Sequence, residues 1–160
     1  MNIATVESWI EAPLKRYVDE VHAHLALLLH PSGQVLAQAG FTREVDVMSA
    51  CALAAAVYAT AGELGRHVEG RAFGGLHYAG PQKQLFLAPV ATSRGTFVCL
   101  TVFDDASSLG LVRLYFAELC RDLADAAPPL AARTAAPSFM NFEADLNRNL
   151  AALFGRDEAM

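Results

Sequence analysis

The chain has 160 residues, 54% of them hydrophobic, and a formal net charge of −5 with only 12 Lys and Arg. This length suits one domain with a large buried core and an appendage. Because the few basic residues are scattered over an acidic chain, the composition argues against nucleic acid as a partner.

The apolar residues are not arranged as a membrane or export segment. The sequence holds no run of about 18 uncharged apolar residues, and residues 1–17 mix acids and bases with apolar residues, unlike a secretory signal. Cys51, Cys99 and Cys120 lie far apart in apolar segments, which is typical of reduced core thiols. We therefore expect a cytoplasmic protein with no membrane insertion, whose excess apolar surface covers an interface.

The first elements in the chain are a helix and a hairpin. Residues 6–22 place apolar side chains three or four positions apart, which predicts an amphipathic helix that either kinks or begins at Pro13. Two apolar runs follow within residues 23–39, separated by the turn residues 31–34. This pattern predicts a β-hairpin in which Gly33 can adopt a positive φ.

The stretch 44–65 is rich in alanine and predicts one long helix that starts near Asp46 or Ser49 and ends at Gly62 and Gly65. Almost nothing polar interrupts its surface, so the helix is expected to be covered on more than one side. Alanine faces permit close backbone approach to a sheet or another helix. The helix lies either between its own sheet and a second copy of itself, or as an ordinary buried helix of a monomer, and composition does not choose between the two.

Three strands are predicted next, over about 68–79, 84–91 and 96–103, with turns at Gly80-Pro81 and at 93–95. The paired Gly74-Gly75 indicates a bend or bulge in the first of them. Pro89 predicts a bulged or edge-exposed position near the end of the second. The third is a nearly continuous apolar run, as expected for a strand covered on both faces.

The C-terminal third of the chain predicts two more helices. Residues 109–126 form an amphipathic pattern that follows the capping residues 104–108 and stops at Pro128-Pro129. After an Ala/Pro linker to Pro137, an apolar stripe recurs at helical spacing, which either folds back on the sheet or docks on a partner. We therefore divide the chain into a domain at 1–127, a linker at 128–137 and an amphipathic helix at 138–160.

The sequence lacks the motifs that carry common chemistries. It has no phosphate-binding loop, no GxGxxG, no HExxH and no GxSxG, and its five histidines show no metal-ligand spacing. Asp104 and Asp105 are more typical of solvated helix caps than of an acid/base pair. With no cofactor and no metal indicated, we expect a binding protein rather than an enzyme.

The order αββαβββα and the segments 25–40, 46–64, 86–91 and 102–119 resemble the Roadblock/LC7 family, over about residues 6–125. The resemblance implies an α/β fold whose five-stranded antiparallel sheet has the long helix on one face and the terminal helices on the other. It also implies a homodimer in which the long helix and the third strand, at about 68–78, meet their symmetry mates. The interface residues expected on this basis are Met48, Ala52, Ala55, Ala56, Ala59, Phe73 and Leu76.

Within that family, a chain with an added C-terminal amphipathic helix is most similar to the MglB-type polarity proteins. Those are dimers that bind a small Ras-like GTPase and accelerate its GTP hydrolysis or nucleotide exchange without donating an arginine. The implied mechanism is selection of a competent GTPase state by the helix face of the dimer. The expected partner contacts are Arg43, Asp46, Phe139, Phe142, Leu146, Leu150 and Leu153.

Two other functions stay open at this stage. One is a scaffold or polarity adaptor that binds a GTPase without altering its turnover. The other is a small-molecule sensory module, in which ligand binding would raise the melting temperature.

Overall fold

The computed structural model describes residues 7–129 and Arg148, and the first of its two compact units ends at Pro129. The elements of that unit are α1 (Ser8–Val21), β1 (Leu25–Leu29), β2 (Val35–Gly40), α2 (Val47–Glu69), β3 (Leu76–Ala79), β4 (Gln84–Thr92), β5 (Gly95–Phe103) and α3 (Leu109–Ala126). The predicted order αββαβββα is therefore confirmed. The proposed division into domain, linker and C-terminal helix stays a prediction, because residues 130–147 and 149–160 lie outside the described part.

The five strands form one antiparallel sheet in the order β2-β1-β5-β4-β3. Strand β5 is central, since it pairs with β4 along its whole length and with β1 over Val98–Val102. Its side chains from Phe97 to Thr101 are all buried, and so is every residue of β1. Both faces of the sheet are thus covered here, as the continuous apolar run of β5 predicted.

The sheet lies between two helical layers. Leu28 of β1 belongs to a core shared with α1 and α3, whereas its neighbour Leu27 belongs to the core under α2. Successive residues of a strand point to opposite faces, so each strand contributes to both cores. The expected arrangement, with the long helix on one face and the terminal helices on the other, is confirmed.

The N-terminal helix and the hairpin agree with the sequence pattern. The structure also decides where α1 begins and whether Pro89 is edge-exposed. Helix α1 begins at Ser8 and continues through Pro13. In the hairpin turn Gly33 has φ +93° and donates its N–H to the carbonyl of His30. Strand β3 pairs with β4 only as far as Leu87. At Pro89, therefore, β4 has no partner on its β3 side within residues 7–129, and Pro89 is at an exposed edge.

The predicted end of α2 at Gly62–Gly65 is wrong. The helix continues to Glu69 and ends at Gly70, whose φ is +75° and whose N–H donates to the Arg66 carbonyl. Because the helix takes residues 68 and 69, the predicted third strand at about 68–78 is also wrong in extent. Only Leu76–Ala79 form β3, and residues 71–75 connect the two elements.

Candidate functional site

The inner face of α2 is built from small residues. Cys51, Ala54, Ala55 and Gly65 are buried, and the first three pack on leucines of β1, β4 and β5. Small side chains let the helix backbone approach the sheet closely. Burial raises the pKa of the Cys51 thiol, so the thiol stays protonated near neutral pH. By length and composition alone α2 could span a membrane, but in this fold its inner face packs on the sheet.

One flank of α2 carries large aliphatic side chains that are exposed. We call these residues the aliphatic stripe: Leu53 is 67% exposed, Val57 44%, Leu64 55% and Val68 68%. They follow one another at steps of four, seven and four residues, so they lie along one line of the helix. Contiguous exposed apolar surface of this kind marks interaction sites in soluble proteins.

The stripe faces the β3 side of the sheet. An open groove of about 470 Å³ lies between α2 and the sheet, and Leu53 and Val57 line it from the helix side. The other residues that line it come from four strands, the β3–β4 turn, α2 and the loop before α2, and they are Leu25, Leu27, Val45, Ala50, Ala54, Leu76, Tyr78, Lys83, Leu85, Leu87, Leu100 and Val102. Apart from Lys83 and Tyr78, every residue that lines the groove is aliphatic.

Strand β3 is an edge of the sheet. It pairs with β4 on one side, and within residues 7–129 no strand pairs with its other side. Its backbone N–H and C=O groups on that side are a template for pairing with another chain. The unpaired edge and the aliphatic stripe therefore lie on the same flank of the domain.

The residues expected at the dimer interface fall into three groups. Ala55 is buried against the chain's own sheet, whereas Met48 is 78% exposed and Ala52, Ala56 and Ala59 are also exposed. Ala52 lies next to the β1–β2 turn, since a Cβ on Gly33 would be 3.2 Å from the Ala52 Cα, so it is on the flank away from β3. Phe73 and Leu76 are half-buried near the groove. The expected interface stays a prediction.

The expected partner contacts are also dispersed. Arg43 is exposed in the loop before α2. Asp46 caps that helix, because its carboxylate accepts the Ser49 N–H at 3.2 Å and the Ser49 hydroxyl at 2.6 Å. These bonds, the hydroxyl first, lower the pKa of Asp46. Phe139, Phe142, Leu146, Leu150 and Leu153 lie outside the described residues, and all these contacts stay predictions.

Sequence reasoning missed the aliphatic stripe. The predicted interface on α2 comprised Met48 and alanines such as Ala52 and Ala59, and it left out the large exposed side chains at 53, 57, 64 and 68. Their spacing was visible in the sequence. A search for large aliphatic residues at four- and seven-residue steps along the helix would have found them.

The titratable side chains of the described residues form no metal-binding cluster. Residues 7–129 and Arg148 include no group of three His, Cys, Asp or Glu side chains placed to hold a metal ion. Burial raises the pKa of Cys99 to about 12 and also raises the pKa of Cys120. Asp104 accepts the Ala106 N–H at 2.9 Å and a bond from His24, and these bonds, in that order, lower its pKa.

This fold is similar to several solved structures. Myxococcus xanthus MglB is 26% identical with a TM-score of 0.67, and the match covers 74% of this chain and 94% of that one. An MglB structure with a tetrameric arrangement is 23% identical with a TM-score of 0.63, covering 72% and 85%. A Roadblock/LC7 domain from Streptomyces avermitilis is 18% identical with a TM-score of 0.60, covering 76% and 97%. No family model and no curated protein matches the sequence.

The chain therefore has the Roadblock/LC7 fold, a class in which a five-stranded antiparallel sheet carries one long helix on one face. Its layout is similar to that of the MglB structures. Both parts of the resemblance inferred from the sequence are confirmed at the level of the fold.

Proposed function

We propose that this protein is a homodimeric regulator that acts in the cytoplasm, binds a small Ras-like GTPase and changes its GTP hydrolysis or nucleotide exchange. One observation carries the proposal. The aliphatic stripe of α2 and the unpaired edge of β3 lie on the same flank, and neither is covered within residues 7–129. A second copy related by a two-fold axis would cover both, with stripe against stripe and edge against edge.

The energetics favour such an assembly. Full burial of one Leu or Val side chain contributes about 1.5–3 kcal/mol, so the four residues of the stripe offer a substantial gain before the costs of association. The β3 edge adds backbone hydrogen bonds that fix the register of the two copies. The tetrameric arrangement of one MglB structure is consistent with self-association in this layout.

The GTPase part of the proposal is supported by the MglB-like layout. Proteins with MglB-like and Roadblock folds are known regulators rather than catalysts. Such a regulator acts by binding one GTPase conformation more tightly than the other, so that the population shifts toward it. Phosphoryl transfer depends on positioned groups, and holding those groups in place is enough to change the rate.

The expected partner contacts acquire different roles under this proposal. Asp46 holds the start of α2 through Ser49, so its effect on a partner is indirect. Arg43 stands exposed in the same loop and is available to an anionic group of the GTPase. The apolar residues predicted for the C-terminal helix would supply a second contact, and they are Phe139, Phe142, Leu146, Leu150 and Leu153.

The test uses the full chain and a Ras-like GTPase encoded nearby, loaded with GTP or GDP. We expect the complex to form preferentially in one nucleotide state, and the rate of hydrolysis or exchange to change when this chain is added. State-dependent binding with an unchanged rate would support the scaffold function instead. If no complex forms in either state and the rate is unchanged, the GTPase part of the proposal is wrong.

A further inference from the structure

The backbone groups along the free edge of β3 belong to alternate residues. The Gly80 N–H donates to the Lys83 carbonyl at 2.9 Å, so these two residues form a hydrogen-bonded pair at the turn into β4. Such pairs alternate along an antiparallel ladder, so Tyr78 also directs its N–H and C=O groups to β4. The groups of His77 and Ala79 therefore point outward, where no strand pairs with β3 within residues 7–129.

The side chains of β3 divide between the two faces of the sheet. Leu76 and Tyr78 line the groove under α2. The His77 ring lies on the other face, where it stacks on Phe103 with ring centroids 6.2 Å apart and its Nε2 is 2.8 Å from the Gln84 Oε1. The ring is half-buried. A histidine thus lies at the free edge, on the face opposite α2.

The symmetry of the proposed dimer limits the register of this edge. A two-fold axis that brings stripe against stripe keeps both α2 helices on the same side of one continuous sheet. The two β3 strands then pair antiparallel, and side chains directly opposite each other lie on the same face. This condition requires one residue of β3 to face its own copy. In a strand as short as Leu76–Ala79, the central residues are His77 and Tyr78.

The register centred on His77 satisfies more of the edge. His77 would exchange both backbone hydrogen bonds with the partner's His77, and Ala79 would pair with the glycine that precedes the partner's β3. Leu76 would lie opposite the partner's Tyr78 beneath the stripes, as an aliphatic–aromatic pair of the kind that stabilises sheets. A register centred on Tyr78 would instead bring Pro81, which has no N–H to donate, into the ladder.

We propose that two copies pair through β3 in the register centred on His77, and that protonation of this histidine weakens the dimer. The two imidazoles would stand opposite each other with their Cβ atoms about 5 Å apart. Histidine changes its charge between about pH 5 and pH 8, and like charges directly opposite each other in a ladder are destabilising. The dimer is therefore strongest where both rings are neutral. The register and the pH control both rest on the dimer of the proposed function.

The surroundings of the ring do not supply a compensating negative charge. Within residues 7–129 its hydrogen bond and its ring contact come from β4 and β5, through side chains that are uncharged. The charged residues next to those two in sequence are Lys83 and Asp104. Lys83 is a cation, and Asp104 is already paired with His24. Directly opposite, the partner would add only a second imidazole.

Disulfide cross-linking tests the register. In a C120A background the remaining native thiols are buried, and H77C should form an intermolecular disulfide under mild oxidation, because opposite residues lie within the Cα–Cα span of about 4.4–6.8 Å that a disulfide bridges. A79C is the matched control, since the two copies of residue 79 would lie about 13 Å apart along the strands. Cross-linking of Y78C in place of H77C, with both variants folded by circular dichroism, would overturn the register.

Sedimentation equilibrium tests the pH control. The wild-type dimer should dissociate about fivefold more readily at about pH 6 than at about pH 8. The lower pH still lies above the isoelectric point of about 5.4. H77Q cannot take up a proton at this position and should lose the dependence. The control H22N removes an exposed histidine at the end of α1, where asparagine tolerates the left-handed backbone, and should keep it.

Three results would overturn the proposal, and they separate it from the proposed function. A dimer of equal strength at both pH values, or a pH dependence that H77Q retains, removes the role of His77 and leaves the dimer. A wild-type chain that is monomeric at about pH 8 removes the dimer as well. The binding of a GTPase is measured independently of all three.

Discussion

Gly65 of α2 lies directly against the backbone that leads into β3. A Cβ at Gly65 would be 2.7 Å from the Phe73 amide nitrogen and 2.7 Å from the Arg71 carbonyl oxygen, closer than carbon atoms in proteins come to these groups. Close packing therefore requires glycine at position 65, and the helix continues through it to Glu69. The connection 71–75 can turn back along the helix only while position 65 has no side chain.

The first prediction concerns this contact. Although alanine favours a helix interior by about 1 kcal/mol over glycine, G65A should lower the free energy of unfolding by about 1–3 kcal/mol because the new methyl group overpacks against rigid backbone. At Gly62 the nearest atom to a new Cβ would be the Ala72 Cβ at 4.0 Å, an ordinary contact. G62A should therefore stabilise the protein by about 0.5–1 kcal/mol. Urea unfolding measures both, and equal stabilisation by the two variants would contradict this role of Gly65.

Much of the fold could be predicted because hydrophobic periodicity reports which faces of an element are covered. The continuous apolar run of β5 and the 3.6-residue pattern of α3 gave these elements within one residue of their observed bounds. The end of α2 could not be predicted in the same way. A glycine that ends a helix and a glycine that admits a neighbouring backbone look alike in sequence, and only the tertiary contact of Gly65 distinguishes them.

The exposed apolar surface of α2 could be predicted from the sequence, but its full extent could not. Composition indicated excess apolar surface on this helix, and the structure has it on the aliphatic stripe as well as at Met48, Ala52 and Ala59. Which flank of an apolar helix stays exposed depends on where the helix touches its sheet. That contact is set by neighbours distant in sequence, such as Gly33 in the β1–β2 turn beside Ala52.

The second prediction tests the stripe as a self-association surface. Leu64 and Leu114 are similarly exposed, at 55% and 60%, but Leu114 lies on α3 at the opposite face of the sheet. L64R should weaken self-association by about 2 kcal/mol or more, roughly thirtyfold in dissociation constant, because a charge would be buried in the interface. L114R should not. Sedimentation equilibrium measures both, and equal behaviour of the two variants would place the interface elsewhere.

The third prediction concerns the start of α3. The Leu111 N–H donates to the Ser108 hydroxyl oxygen at 3.2 Å, so Ser108 is the N-cap, whereas the buried Ser107 hydroxyl has no protein partner within residues 7–129. S108A should cost about 1 kcal/mol of stability. S107A should cost little or be stabilising, because it removes a buried polar group without breaking a hydrogen bond. Chemical unfolding measures the difference, and a larger loss for S107A would be the contrary result.

The fourth prediction starts from the buried phenol of Tyr17 in α1. Its hydroxyl is 2.9 Å from the Thr101 hydroxyl of β5, in the core between α1, α3 and the sheet. Burial raises the pKa of Tyr17 well above its ordinary value of about 10, and the neighbouring Cys99 raises it further, while the Thr101 bond lowers it. The folded state therefore holds the phenol proton more tightly than the unfolded state does.

A raised folded-state pKa contributes stability that is complete below about pH 10 and is lost as the pH rises above that value. Above about pH 10, the free energy of unfolding of the wild-type chain should thus fall more steeply than that of Y17F, by up to about 1.4 kcal/mol per pH unit. Buried thiols such as Cys99 add the same slope to both proteins. Near neutral pH, Y17F should instead be less stable by about 0.5–1.5 kcal/mol, because Thr101 loses its partner. The two stability curves should therefore converge as the pH rises, in urea unfolding at about pH 8 and about pH 11. Parallel curves would mean that the phenol ionises equally in both states, and that the core around Thr101 admits water.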